Sequence, residues 1–291
     1  MIPRLVMVSA CIATVIATTG VAAEHTGVQP EPKNPYFTLT PMELISTPPL
    51  LFDGRVAAVE DNVAVIDVLR TYRGEVGERT RVPEIRRVSG SNAAVRFSVG
   101  ERWLIGLNDE GELYNYEDSR LSIDDDANIA ETITALIAIT DPEPNNDAKA
   151  QRSLVSRTET FGRLADVEQV LLLDALGRDL LPIDQQRQFA LLDTALMQPL
   201  QGERLLNVRV RAINALLRRG LARHYARTLA DGLESDNYMT RVASINAIRQ
   251  ATSSNFGYDH RKPLEDQQDA IRACREWAAS VTDVPPIKPP R

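Results

Sequence analysis

The phrase "RVRAINAL" opens at Arg209, and "RVASINAI" opens at Arg241, thirty-two positions later. Arg, Val, Ile, Asn and Ala recur in register, and Leu216 falls opposite Ile248. Apolar residues three and four apart make each phrase the buried stripe of an amphipathic helix. A period of this length is one helix–turn–helix pair, and its recurrence predicts pairs stacked side by side. Neither pair buries its stripe alone. Val210, Ile213, Ala215 and Leu216 in one unit, matched by Val242, Ile245, Ala247 and Ile248 in the next, predict a core built by stacking.

Helical spacing extends in both directions from this phrase. "DVEQVLLLDAL", "DQQRQFALLDTALMQPL", "ARHYARTLADGLES" and "LEDQQDAIRACREWAAS" all carry it, and Gly220, Gly232 and Gly257 punctuate the ends. Upstream the period changes to two. "DGRVAAV", "NVAVIDVLRTY", "RTRVPEI", "AAVRFSV" and "RWLIGLN" read as short strands separated by turn signals such as "EDN", "SGSN" and "NDEG". In "NVAVIDVLRTY" both alternating faces are largely apolar, as for a strand in a barrel wall or sandwich. The run "LSIDDDANIAETITALIAIT" predicts a helix packed on that barrel, capped by Ser122 or an Asp, with Ile129, Ile133, Leu136 and Ile137 at helical spacing.

The start, "MIPRLVMVSACIATVIATTGVAAEH", has one Arg, an apolar run from Leu5 and small residues before Glu24. This pattern predicts a secretory signal cleaved between Ala23 and Glu24. The alternatives are a retained membrane anchor and lipidation at Cys11 in "VSAC". Cleavage removes Arg4 alone from 33 basic and 40 acidic residues, moving the formal charge from −7 to −8. An exported, net acidic chain is a poor binder of nucleic acid. Cys274 is then the one remaining thiol, so the fold rests on its core rather than on a disulfide. The expected organisation is a signal peptide over 1–23, a flexible leader over 24–41 and a β-barrel domain over 42–140. A linker over 141–150 then leads into a helical repeat domain over 151–281 and a Pro-rich tail over 282–291.

From about Asp166 to Ala279 the chain resembles a HEAT-repeat array. In that family an Arg opens the second helix, followed by small and aliphatic residues, as in "RVRAINALLRRG" and "TRVASINAIRQAT". The end is similar to the last unit of many bacterial arrays, where a Phe-Gly-Tyr-Asp loop leads into a helix ending in Trp. Phe256, Gly257, Tyr258, Asp259 and Trp277 stand at those places. The β-half loosely resembles the barrel of netrin-like modules and tissue inhibitors of metalloproteinases, through "LLFDGRVAAVEDNVAVIDVLRTYRGEVGE" and "FSVGERWLIGLNDEGELY". Those inhibitors chelate zinc with a disulfide-bonded N-terminal Cys, and the mature β-half here contains no Cys. Together the resemblances imply an α+β multidomain chain: a small OB-like β-barrel with a packed helix, then an all-α HEAT-like solenoid.

The sequence has no H-E-x-x-H, G-x-S-x-G, P-loop or Cys-x-x-Cys. His224 and His260 lack neighbours at metal-ligand spacing and read as surface or packing residues. In "DDDAN" the residues Asp124, Asp126 and Asn128 alternate, but Ile129 stands where a calcium loop needs Gly. Acids there suit a helix start. Neither a cofactor nor a metal is implied. Cys274 reads as a small buried hydrophobe.

Two arginine clusters remain as candidate sites for an anionic partner, since guanidinium groups suit carboxylate, sulfate or phosphate. One contains Arg79 and Arg81, which share a strand face; the other contains Arg211 and Arg218, seven apart on a helix face away from Ile213 and Leu217. The alternative for both is a solvated surface. The expected function is that of a non-enzymatic binding or scaffold protein, periplasmic or secreted, with a protein or glycan partner in the cell envelope and no insertion in the membrane after cleavage. A protease inhibitor acting through the barrel and an enzyme with its site at the domain junction are the rival readings.

Overall fold

A computed structural model of the chain describes residues 40–84, 96–114, 120–123, 129–140, 148–198 and 207–281. The cleavage site at Ala23 and Glu24, Cys11, the acidic stretch 124–128, the linker residues 141–147 and the tail 282–291 lie outside the described residues. Those described all fall within one compact unit, Leu39–Arg291. The fold is a mixture of α and β.

Five antiparallel strands form one sheet: β1 (Leu50–Glu60), β2 (Val63–Arg73), β3 (Arg79–Pro83), β4 (Arg102–Leu107) and β5 (Arg120–Ser122). Their order is β3-β2-β1-β4-β5. β1 and β2 are joined through Asp61 and Asn62, both at positive φ (49° and 65°), as a two-residue primed hairpin turn requires. Register shifts at three points along β1–β2 bend the ribbon. β3 and β5 are the two edges, so the described strands form an open sheet and not the closed barrel expected from the sequence.

Alternation along the strands splits the sheet's apolar residues into two cores. Phe52, Val56, Ile66, Trp103, Ile105 and Leu107 gather with Val82, Phe97 and Leu113 in a small cluster. Leu51 and Leu104 belong instead to the large core shared with the helices. Two faces are therefore covered, but not along the full length of β2, where Leu69 is 53% exposed. The expected strand "AAVRFSV" is not one over its described part, 96–99. The Phe97 N–H is taken by Glu84 Oε1 at 2.9 Å instead of by a ladder partner.

Nine helices are found among the described residues: α1 (Pro41–Ser46), α2 (Ile129–Thr140), α3 (Ala148–Glu159), α4 (Asp166–Gly177), α5 (Gln185–Leu196), α6 (Val208–Arg218), α7 (Ala226–Gly232), α8 (Tyr238–Thr252) and α9 (Gln268–Val281). Sequence periodicity places a strand region after residue 41, yet α1 stands there. Thr40 caps it, accepting from the Glu43 N–H while Glu43 Oε2 accepts from the Thr40 N–H at 2.8 Å, a full capping box with Pro41 in the first turn. Ser122, expected as a helix cap, lies in β5, and α2 begins at Ile129. Ile129, Ile133 and Leu136 are buried as the spacing predicts.

α4 packs on α6, and α6 packs on α8. α5 packs on α6, while α7 packs on α8 and on α9. α1 joins sheet to helices by contacting β4, α2 and α4. The repeated phrase is repeated in burial too: Ile213 with Ile245, Ala215 with Ala247 and Leu216 with Ile248 are all interior. α4 and α6 both end in Schellman turns. Leu180 N–H donates to the Ala175 carbonyl at 3.0 Å, and Leu221 N–H to that of Leu216 at 2.8 Å.

Candidate functional site

A cavity of about 430 Å³ lies where α6 meets the α7–α8 connection. That volume is within the range of small-ligand and side-chain pockets. Leu196 and Ile213 supply its apolar lining, Thr228, Ser235 and Thr240 its hydroxyls, and Arg209, Asp231, Glu234 and Asp236 its charges.

Local sequence explains why these groups converge. Asn207 caps α6 by accepting from the Val210 N–H at 3.0 Å, which sets Arg209 in the first turn. The Arg209 Nη2 then donates to the Gln198 carbonyl at 3.0 Å. Its Nε is buried without a partner among the described residues. Asn237 caps α8 in the same way, accepting from Thr240 N–H at 3.0 Å. The corresponding arginine, Arg241, donates from Nη1 to the carbonyls of Ser235 (2.8 Å) and Asp236 (3.1 Å), holding the loop that carries the cavity's acids. Gly232 has no room for a Cβ, which would stand 2.3 Å from Ser244 Oγ; that glycine lets α7 approach α8 at this wall. From outside, Arg275 on α9 pairs with Glu234 and reaches Asp231 at 3.8 Å. The cavity thus presents hydrogen-bond donors and acceptors around an apolar base, with more acid than base.

The sequence-derived candidates are placed differently. Arg79 and Arg81 are exposed on β3, where Arg79 pairs with Asp67 at 2.7 Å and Arg81 with Glu60 at 3.7 Å. Arg211 is only 6% exposed, so its reading as part of a solvated helix face is corrected. It sits near the buried Asp174 of α4, whose carboxyl burial pushes above the usual carboxylate range while the charges of Arg211, Arg218 and Arg178 pull it down. α1 closes over this acid, with the Met42 N–H 3.5 Å from Asp174 Oδ2. Arg178 extends the junction, donating to Thr40 Oγ1 at 3.0 Å and standing 3.3 Å from Glu43 Oε1. Arg218 is exposed at the end of α6. The pair 211 and 218 therefore spans interior and surface.

Among the described residues no group of three or more His, Cys, Asp and Glu could hold a metal ion. His224 stacks on Phe189 with centroids 4.5 Å apart, and His260 meets the edge of Tyr238 at 5.5 Å. Cys274 is buried, and burial pushes its thiol up to about 11. The Phe-Gly-Tyr-Asp loop is an anchoring turn. Gly257 has φ of 81°, and the buried Tyr258 donates its hydroxyl to the Leu233 carbonyl at 2.8 Å. Phe256 faces Trp277 at 6.3 Å.

Sequence reasoning missed Asp231, Glu234 and Asp236. The available signal was the acidic run that directly follows the acid-free stretch between Leu205 and Ala230. Compared with family models, with curated proteins and with solved structures, the chain matches none.

Proposed function

We propose that this chain is an exported, non-enzymatic binding protein that seats a side chain of a protein or glycan partner in the α6–α7–α8 cavity. The 430 Å³ cavity, with convergent donors and acceptors over an apolar base, is the observation that carries this reading. In the same reading the helical half is a short HEAT-like solenoid. Its support is the serial packing of α4, α6 and α8 and the matched burial of the repeated phrases. The sheet half is read as a relative of the netrin-like barrel. Its support is a bent β1–β2 ribbon with apolar clusters on two faces.

Export is supported by the apolar N-terminal run ending before Glu24. Among the described residues no helix is long and apolar enough to cross a membrane. The test places a photo-crosslinking residue at Thr228, which lines the cavity, and a control at Arg70, exposed on β2. In intact cells Thr228 is expected to trap one discrete partner that Arg70 does not. Identical adducts from both positions, or none from Thr228, overturn the cavity as the binding site.

A further inference from the structure

We propose that the corner formed by α5 and the α6–α7 turn binds an acidic polysaccharide. It shares no lining residue with the cavity, so the proposal stands or falls separately from that reading. Phe189 of α5 and His224 of the turn stack nearly parallel, at 4.5 Å and 15° between planes. Tyr225 braces the pair from a third side, 6.3 Å from Phe189 and 5.2 Å from His224. Its hydroxyl is fixed by donation to Asp193 Oδ1 at 2.9 Å. Phe189 is half-buried and His224 exposed, so a rigid stack, with Phe189 behind His224, reaches solvent instead of disappearing into the core.

Arg219 stands beside this stack, and two further arginines flank His224 along the chain. Arg219 donates to Gln188 Oε1 at 3.4 Å, beside Phe189, and pairs with Asp179. Arg223 precedes His224 directly, and Arg227 follows it by three positions on the first turn of α7. Both are exposed. Arg223 lies 3.4 Å from the Ala251 carbonyl, and neither arginine has a carboxylate partner among the described residues. The acids at the corner, Asp179 and Asp193, are engaged by Arg219 and Tyr225. In a chain of net charge −7, the turn that carries His224 thus offers two exposed arginines with no carboxylate partner among the described residues.

A uronic acid ring matches both halves of that arrangement. Its C–H face packs on a flat aromatic surface, while its carboxylate accepts a forked pair of N–H bonds from an arginine. An acidic peptide offers the carboxylates but no saturated ring to lie on His224 where Phe189 backs it, so it would use the arginines alone.

Polygalacturonate is the probe, with neutral dextran and poly-glutamate as comparators, in affinity electrophoresis of the full chain. Polygalacturonate is expected to retard the protein and dextran is not. Phe189→Ala, and separately the exposed pair Arg223→Glu with Arg227→Glu, are each expected to weaken the retardation about tenfold or more. The melting temperature of the arginine variant should match the parent, which keeps the result readable if Phe189→Ala loosens α5. Absence of retardation by polygalacturonate, or retardation unchanged in the arginine variant, overturns the proposal. Poly-glutamate binding that equals polygalacturonate and ignores Phe189→Ala also overturns it, assigning the corner to acidic peptides.

Discussion

α6 and α8 spell the same phrase and bury Ile213, Ala215 and Leu216 opposite Ile245, Ala247 and Ile248, although Val210 is buried and Val242 only half-buried; at one register position α6 has Arg211 and α8 has Ala243. Both are interior, at 6% and 7% exposure. The neighbours account for the difference. Arg211 lies near Asp174 of α4, under α1, which brings the sheet against the helices. The segments packed on α8 are α6 and α7, and there the small Ala243 and Ser244 suffice. The shared phrase thus goes with shared aliphatic positions in the core, while the packing partners of α6 and α8 decide which of the two carries charge in its interior.

The sharpest way to break this comparison is to write the α6 residue into α8. Ala243→Arg buries a guanidinium where, among the described residues, neither α6 nor α7 carries a buried acid to receive it, and it overfills a packed site. The expected loss is about 4 kcal/mol in urea unfolding, the scale of an uncompensated buried charge plus strain. A loss below about 1 kcal/mol would mean that α8 accommodates charge as α6 does.

The reverse change is smaller and depends on pH. Arg211→Ala removes one of the charges that draw the Asp174 proton off, and should cost about 3 kcal/mol near neutrality. The folded Asp174 carboxyl already titrates above its unfolded value. Its contribution to stability is therefore present below the unfolded pKa and is lost as pH rises through the folded pKa. Taking away Arg211 raises that folded value further, so the variant's deficit should be greater at about pH 7.5 than at about pH 4. Urea midpoints at the two pH values decide it; a pH-independent deficit would leave only lost packing.

The smallest effect tests what the units share. Asn207→Ala and Asn237→Ala each remove one cap and should each cost about 1 kcal/mol. Costs that agree within about 0.5 kcal/mol would extend the equivalence of the units to their first turns.

Much of the helical half was legible because 3.6-residue periodicity is a local property. α4 to α9 fall where the apolar spacing and the glycines put them. The strands β1 to β4 were legible for the same reason, with period two. α1 was readable but overlooked. "TPME" carries Thr40 and Glu43 three apart with a proline between them, and the surrounding prolines masked that capping signal. Closure of the sheet was not legible, since alternation fixes which face a side chain takes and says nothing of which strands are edges. Arg211 was misplaced by reasoning on charge alone. Aligning the two phrases sets it against Ala243, and that comparison would have flagged an interior position. The cavity depends on loop carbonyls and on the close pass of Gly232 by Ser244, which only three-dimensional packing brings together.

The arginine at the head of each phrase has a consequence for how such a chain can change in length. Arg209 fastens the Gln198 carbonyl past the end of α5, and Arg241 the carbonyls of Ser235 and Asp236 just before α8. A duplicated segment would therefore arrive with its clasp already aboard, and the joint it makes with its predecessor would need no new chemistry. Each of the two phrases carries its own main-chain clasp at its head.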